Sequence, residues 1–156
     1  MTYAIVGLPV EPFRDLFGLS DEDLAVRHVV RVVADAPVGY PCRVLLEDAR
    51  PGETLLLLNH EYQSAETPYR GRHAIFVNES ADRTRRFVDE VPPVLRVRPA
   101  ISLRAFDEAG MMIDADLASG AAIEPAILRL LENPQASYLH AHNAARGCYA
   151  ARIERS

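Results

Sequence analysis

Two hydrophobic patterns alternate along the chain. Apolar residues gather in short runs at residues 3–8, 42–46, 54–62 and 73–77, bounded by proline, glycine, asparagine or acidic residues, which reads as strands. Elsewhere they recur at helical spacing. Val26, Val29, Val30 and Val33 follow Ser20; Thr84, Phe87, Val88 and Val91 follow Ser80; Ile123, Ile127, Leu130 and Leu131 flank Pro125. Ser20, followed by Asp21, Glu22 and Asp23, is a strong helix start, since an oxygen caps free amides and acids favour the positive end of the dipole. The second helix gains Asp82/Arg86, Arg85/Asp89 and Arg86/Glu90 pairs at i,i+4, a solvated self-paired face, and ends at Pro92-Pro93. The third has proline in its first turn and stops at Asn133-Pro134. Four successive leucines within 54–62 lack polar alternation, so that strand is expected to be central and buried on both faces.

Residues 138–143 and 148–153 read as a hairpin joined by Ala144-Ala145-Arg146-Gly147. With a plain four-residue loop, His142 lies opposite Tyr149 and each face mixes polar with apolar groups. With Gly147 as a bulge, Asn143 lies opposite Tyr149 and His140 opposite Arg152. The bulged register places Leu139, Ala141, Tyr149, Ala151 and Ile153 on one face and Tyr138, His140, His142, Cys148, Arg152 and Glu154 on the other. Burial of one face drives pairing, so this register is preferred. The stretch 101–116 repeats the pattern: a bulge at Gly110 sets Arg104 against Asp114 and Ser102 against Asp116, while Leu103, Ala105, Ile113 and Ala115 share a face. The fold expected is α+β, an antiparallel or mixed sheet of about six or seven strands with about three helices.

At 156 residues and 49% hydrophobic, residues 1–156 are expected to form a single globular domain. A net charge of −5 without a basic block argues against nucleic acid as partner. No apolar run reaches the ~20 residues that span a bilayer, and residues 1–4 lack the start of a secretion signal, so a cytoplasmic, non-membrane protein is expected. Cys42 and Cys148 are then free thiols, Cys42 in the core. All 17 basic residues are arginine, which excludes lysine chemistry, including pyridoxal-phosphate anchoring and the phosphate-loop lysine. Total replacement reads as coding bias, which weakens any single arginine as a sign of anion binding. No dinucleotide, NTPase, zinc-protease or hydrolase signature occurs.

Three partial constellations carry the candidate chemistry. His140-x-His142 puts two imidazoles on one strand face; His60 or His73 would add the third ligand of an open divalent metal site, against the blander reading of a hydrogen-bonded polar face. Arg152 opposite His140 would keep that ring neutral, which suits a base as well as a ligand. Cys148, diagonal to His142 in the bulged register, is a candidate thiol nucleophile, against the commoner inert buried cysteine. Arg70, Arg72, Arg146 and Arg152 with Tyr62, Tyr69 and Tyr149 would form an anion pocket assisted by backbone amides of the glycine-containing turns; the plainer reading is solvated arginine. His28 reads as solvated, and Asp114 and Asp116 have a sufficient role in cross-strand pairing.

The segments Gly39-Tyr40-Pro41-Cys42-Arg43, Leu57-Leu58-Asn59-His60-Glu61, Thr67-Pro68-Tyr69-Arg70, His73-Ala74-Ile75-Phe76-Val77, Gly110-Met111-Met112-Ile113-Asp114-Ala115-Asp116, His140-Ala141-His142-Asn143 and Gly147-Cys148-Tyr149-Ala150-Ala151-Arg152 together resemble the bacterial domain-of-unknown-function family numbered 1203. The resemblance spans nearly the entire chain and implies a small single-domain bacterial protein. It carries over no activity and no catalytic residue. The residues themselves point to a small anionic molecule bound where the C-terminal hairpin meets His60 and the Arg70–His73 segment. In an enzyme, His140 or His142 acts as base or metal ligand; the alternative is a non-catalytic partner or homodimer surface. Convergence of His60, His73, His140 and His142 in a concave pocket would favour the enzyme, dispersal over a flat face the interaction module.

Overall fold

The computed structural model describes all 156 residues and has eleven strands in two sheets. The six-stranded sheet holds β1 (Tyr3–Val6), β7 (Arg86–Val88), β8 (Ile101–Phe106), β9 (Met112–Ala118), β10 (Tyr138–Asn143) and β11 (Tyr149–Arg155), in the order β7-β1-β11-β10-β8-β9. The five-stranded sheet holds β2 (Val30–Val33), β3 (Pro41–Cys42), β4 (Glu47–Asp48), β5 (Thr54–Gln63) and β6 (Gly71–Asn78), in the order β2-β5-β6-β3-β4. All pairings are antiparallel except β3 with β6. The α+β class expected from the sequence is found, but with two sheets in place of one. Three α-helices, α1 (Asp21–Val26), α2 (Pro93–Arg96) and α3 (Ile123–Glu132), accompany two short 3-10 segments. No helix is long and apolar enough to cross a membrane.

The leucine run lies where its pattern put it: β5 is flanked by β2 and β6, with Leu55, Leu56 and Leu58 buried. The third helix also forms as expected, turning Ile123, Ile127, Leu130 and Leu131 into the main core, a cluster of 21 buried residues between α3 and the six-stranded sheet. The other two helices differ. Ser20 caps α1 by accepting from the Asp23 amide at 3.1 Å, but the helix ends at Val26, His28 sits at φ 56°, and Val30–Val33 pairs with β5 as the edge strand β2. The stretch expected as a helix after Ser80 instead carries β7, because Arg86, Phe87 and Val88 complete the β1 edge; Pro92 caps α2 at its start. Of residues 42–46, only Cys42 belongs to a strand, as the end of β3; the strand expected over 42–46 is replaced by a turn at residues 43–46. Residues 43–46 link β3 to β4, and this turn closes against the end of β1.

That closure depends on Gly7. Its amide donates to the Arg85 carbonyl at 2.9 Å, the Leu8 amide to the Arg43 carbonyl at 2.8 Å and the Arg85 amide to the Val44 carbonyl at 3.1 Å. A Cβ at residue 7 would lie 2.2 Å from the Val44 oxygen, so only glycine permits this approach. The β3–β4 turn is thereby fixed between the two sheets.

The C-terminal hairpin combines the two registers weighed from the sequence. Near the turn it is a plain four-residue loop: the Asn143 amide donates to Cys148 at 2.9 Å, and His142 lies opposite Tyr149. The register then shifts, leaving Ala150 as the extra residue, and beyond it Ala141 faces Ala151 and His140 faces Arg152. The expected pairing of Asn143 with Tyr149 is therefore incorrect, because the bulge lies inside β11 and not at Gly147. The β8–β9 hairpin behaves likewise. Phe106 faces Met112 as the Gly110 turn requires, but a shift at Ile113 sets Ala105 against Asp114 and Leu103 against Asp116. Asp114 and Asp116 accordingly meet Arg129 of α3, each at 3.0 Å, and not Arg104 and Ser102.

Candidate anion-binding cleft

The β3–β4 turn, the loop after α2 and the tip of the β10–β11 hairpin close over one face of β5–β6 and leave a cleft of about 370 Å³, within the range of small-molecule sites. Its two walls differ in chemistry. One is apolar, with Leu57, Ala74 and Phe76 from the sheet and Pro99 and Ala100 from the loop. The other carries Arg43, Arg146, Asn143 and Cys148, with Arg98 and His73 on the same cleft.

Arg43 is the deepest charge, only 3% exposed. Its Nε donates to the Tyr149 carbonyl at 2.8 Å and its Nη1 to the Pro41 carbonyl at 2.6 Å, so the side chain ties one sheet to the other. Burial lowers its pKa from the ordinary arginine value, yet a guanidinium stays protonated in proteins. It has carbonyl partners and no carboxylate partner, and the Cys148 thiol lies against its guanidinium. Arg98 is neutralised by Asp48 at 2.8 Å, and the same carboxylate oxygen accepts the Gly39 and Tyr40 amides. Arg146 is exposed on the hairpin turn without an ion pair. No aspartate or glutamate lines the cleft. Cys148 is buried, its sulfur accepting from the Asn143 amide nitrogen at 3.3 Å, while Asn143 Oδ1 is buried without a partner.

Behind this wall lies an aromatic cluster. Alternation along β10 sends Tyr138, His140 and His142 to the face opposite the main core, and the Ala150 bulge turns Tyr149 onto that face too. His142 meets Tyr62 edge-on at 4.9 Å, His140 meets Tyr149 edge-on at 5.2 Å, and Tyr62 stacks on Tyr149 at 6.1 Å. His60 packs between Phe13 and Tyr149 at 6.1 Å from each. His140 is 3% exposed and His142 fully buried. Burial pushes His140 down to about 3, helped by the neighbouring His142, Arg152 and Arg104; burial likewise brings His142 to about 4 against the opposing pull of the Gly147 carbonyl. Burial also lowers His60 and raises the Tyr149 phenol. His142 Nδ1 lies 3.0 Å from that carbonyl, which fixes Nδ1 as the protonated nitrogen and leaves Nε2 buried with a free lone pair; His140 Nδ1 is similarly unpartnered.

The structure thus divides the residues picked from the sequence. His73, Arg146 and Cys148 line the cleft, while His60, Tyr62, His140, His142 and Tyr149 form the packed cluster behind it. Three of the four histidines converge, but against aromatic rings and not in the concave pocket, and no group of three or more His, Cys, Asp or Glu side chains stands together as a metal-binding set. Cys148 and His142 point to opposite faces, since the plain loop at the turn pairs the thiol with Asn143, so the thiol–imidazole pair expected from the bulged register is not formed. Arg70 and Arg72 are exposed and reach Glu61 at 3.3 and 3.6 Å, and Tyr69 packs edge-on against Phe106. Arg152 lies over the Tyr138 ring at 3.9 Å and pairs with Glu154 at 3.4 Å. None of these joins the cleft. Arg43, Arg98 and Asn143 were not among the sequence candidates. The signal for Arg43 is its place in the run Cys42-Arg43-Val44-Leu45-Leu46, where a lone charge among core residues marks a buried cation.

A family model described as a protein of unknown function (DUF1203) matches residues 39–155. That span contains every residue lining the cleft and leaves β1, α1 and β2 outside. No curated protein and no solved structure matches the chain.

Proposed function

The chain belongs to the DUF1203 family of proteins of unknown function, and we propose that it binds a small anionic molecule in the cleft between the hairpin tip and β5–β6. One observation carries this reading: three arginines line the cleft, only Arg98 has a carboxylate partner, and no acidic side chain offsets the other two. A buried cation without a counter-ion is costly, and an anionic ligand beside Arg43 would lower that cost. Two buried free thiols support a reducing, cytoplasmic setting.

The test is thermal unfolding against increasing sodium phosphate, malonate, benzoate or hexanoate, with sodium chloride as control, for the native chain and Arg146→Ala. At least one anion is expected to raise the unfolding temperature saturably. In Arg146→Ala its affinity should fall about ten- to hundredfold, the loss of one charged hydrogen bond of about 1.5–3 kcal/mol. Equal responses to all four anions and to chloride would defeat the proposal.

A second reading makes the protein an enzyme with His142 as base. Its support is the buried Nε2 lone pair, held by the Nδ1 contact to Gly147, whose turn forms the cleft rim. Burial keeps this ring neutral at pH 7, although at about 4 its basicity lies well below that of a free imidazole and of an efficient general base. Once a ligand is known, unchanged turnover in His142→Gln would remove this reading.

A further inference from the structure

The contrast between the two walls of the cleft bears on which class of anion fits. Phosphate sites present several convergent donors, commonly backbone amides of glycine-containing turns. Here part of such a set is already taken up within the protein. Gly147 donates to the Asn143 carbonyl at 2.7 Å, Ala144 to Ala100 at 3.1 Å and Arg43 to Phe76 at 3.1 Å, while Gly39 and Tyr40 both donate to Asp48. The Asn143 side-chain amide faces the Cys148 sulfur. The polar wall offers the guanidinium of Arg43 and the long side chain of Arg146, which suit the two oxygens of one carboxylate.

The opposite wall has no polar side chain at Leu57, Ala74, Phe76, Pro99 or Ala100. Leu57 and Phe76 are cross-strand partners and share one face of the sheet; Tyr40 packs against the Phe76 ring at 5.7 Å. A small hydrophilic polyanion would leave this surface facing water. A molecule with an apolar body would cover it and take that surface out of water.

Resting on the reading that the cleft binds an anion, we infer that its occupant is a monocarboxylic acid with an apolar body, the carboxylate between Arg43 and Arg146 and the body against Leu57, Ala74 and Phe76. The side chains then have distinct duties. Arg146 acts on any anion, whereas Ala74, exposed on β6 and so free to change, acts only on ligands with an apolar body.

Isothermal titration of the full chain, Arg146→Ala and Ala74→Asn with benzoate, hexanoate, malonate and inorganic phosphate tests this, each variant first shown to keep the native unfolding temperature without ligand. Benzoate or hexanoate should bind at least about tenfold more tightly than phosphate or malonate. Arg146→Ala should weaken that binding about tenfold or more, and Ala74→Asn should weaken it severalfold. Tighter binding of phosphate or malonate, lost in Arg146→Ala, would overturn the carboxylate-with-apolar-body inference while leaving the anion site in place. Benzoate binding insensitive to Ala74→Asn would overturn the assigned apolar wall. No binding of any of the four would overturn both.

Discussion

His140 and His142 show how position in the fold sets the state of a side chain. Both rings are depressed chiefly by burial, to about 3 and about 4, against an ordinary value near ~6.5 in the unfolded chain. The unfolded chain therefore binds more protons than the folded one between those limits, so their contribution to stability is whole above about pH 6.5 and declines as pH falls toward 4. The slope cannot exceed about 1.4 kcal/mol per pH unit for each ring. Urea unfolding at pH 7, 6, 5 and 4.5 should show this decline, and His140→Gln/His142→Gln should flatten it; an equally steep decline in the double variant would assign the effect to carboxylates. The sequence did reveal that these two rings share a strand face, because alternation is local. It did not reveal that the face is walled by Tyr62 and Tyr149, which arrive from another sheet and through a bulge. Arginines followed the same rule. Arg70 and Arg72, chosen for their neighbours in sequence, find Glu61, whereas Arg43 gains its place from carbonyls distant in the chain, among them that of Tyr149.

Elements were legible where one strong local pattern acted alone. The four leucines of β5 and the apolar stripe of α3 folded as read. The stretch after Ser80 carried a helical pattern with i,i+4 charge pairs worth only ~0.2–0.5 kcal/mol each, and pairing of Phe87 and its neighbours with the β1 edge outweighs them. In both hairpins the turn residues were legible and the inner bulges at Ile113 and Ala150 were not, because a bulge inside a strand answers to what each face must pack against. Two glycines separate the physical causes at this scale. Gly147 has φ 76° and nothing near its Cβ direction, so Gly147→Ala should cost about 1–2 kcal/mol of backbone strain alone. Gly7 has ordinary φ but no room, so Gly7→Ala should cost about 3 kcal/mol or more, or prevent folding. Denaturant midpoints give both values, and equal costs would show that the β1 end does not close on Val44 as described.

At the scale of the molecule, two sheets with their own cores, of 21 and 12 buried residues, meet where Arg43 bridges to Tyr149. The cleft is a product of that meeting: its walls come from both sheets and the loop after α2, and no single stretch of sequence contains it. This is why the hairpin, His73 and Arg146 were legible as parts of a site while Arg43, Arg98 and the apolar wall were not. It also makes the anion cleft a claim about the assembled fold, testable residue by residue. The most direct measurement is a nitrogen–proton NMR titration of the labelled chain with benzoate and then with phosphate, each to ~10 mM, ample for affinities of about 4 kcal/mol. The expected result is a saturable shift of the amides of Arg43, Ala74, Ala100 and residues 143–148, with the amides of Arg70 and Arg72 unmoved. Shifts confined to the Arg70–Arg72 surface, or none with either anion, would contradict the cleft as the binding site.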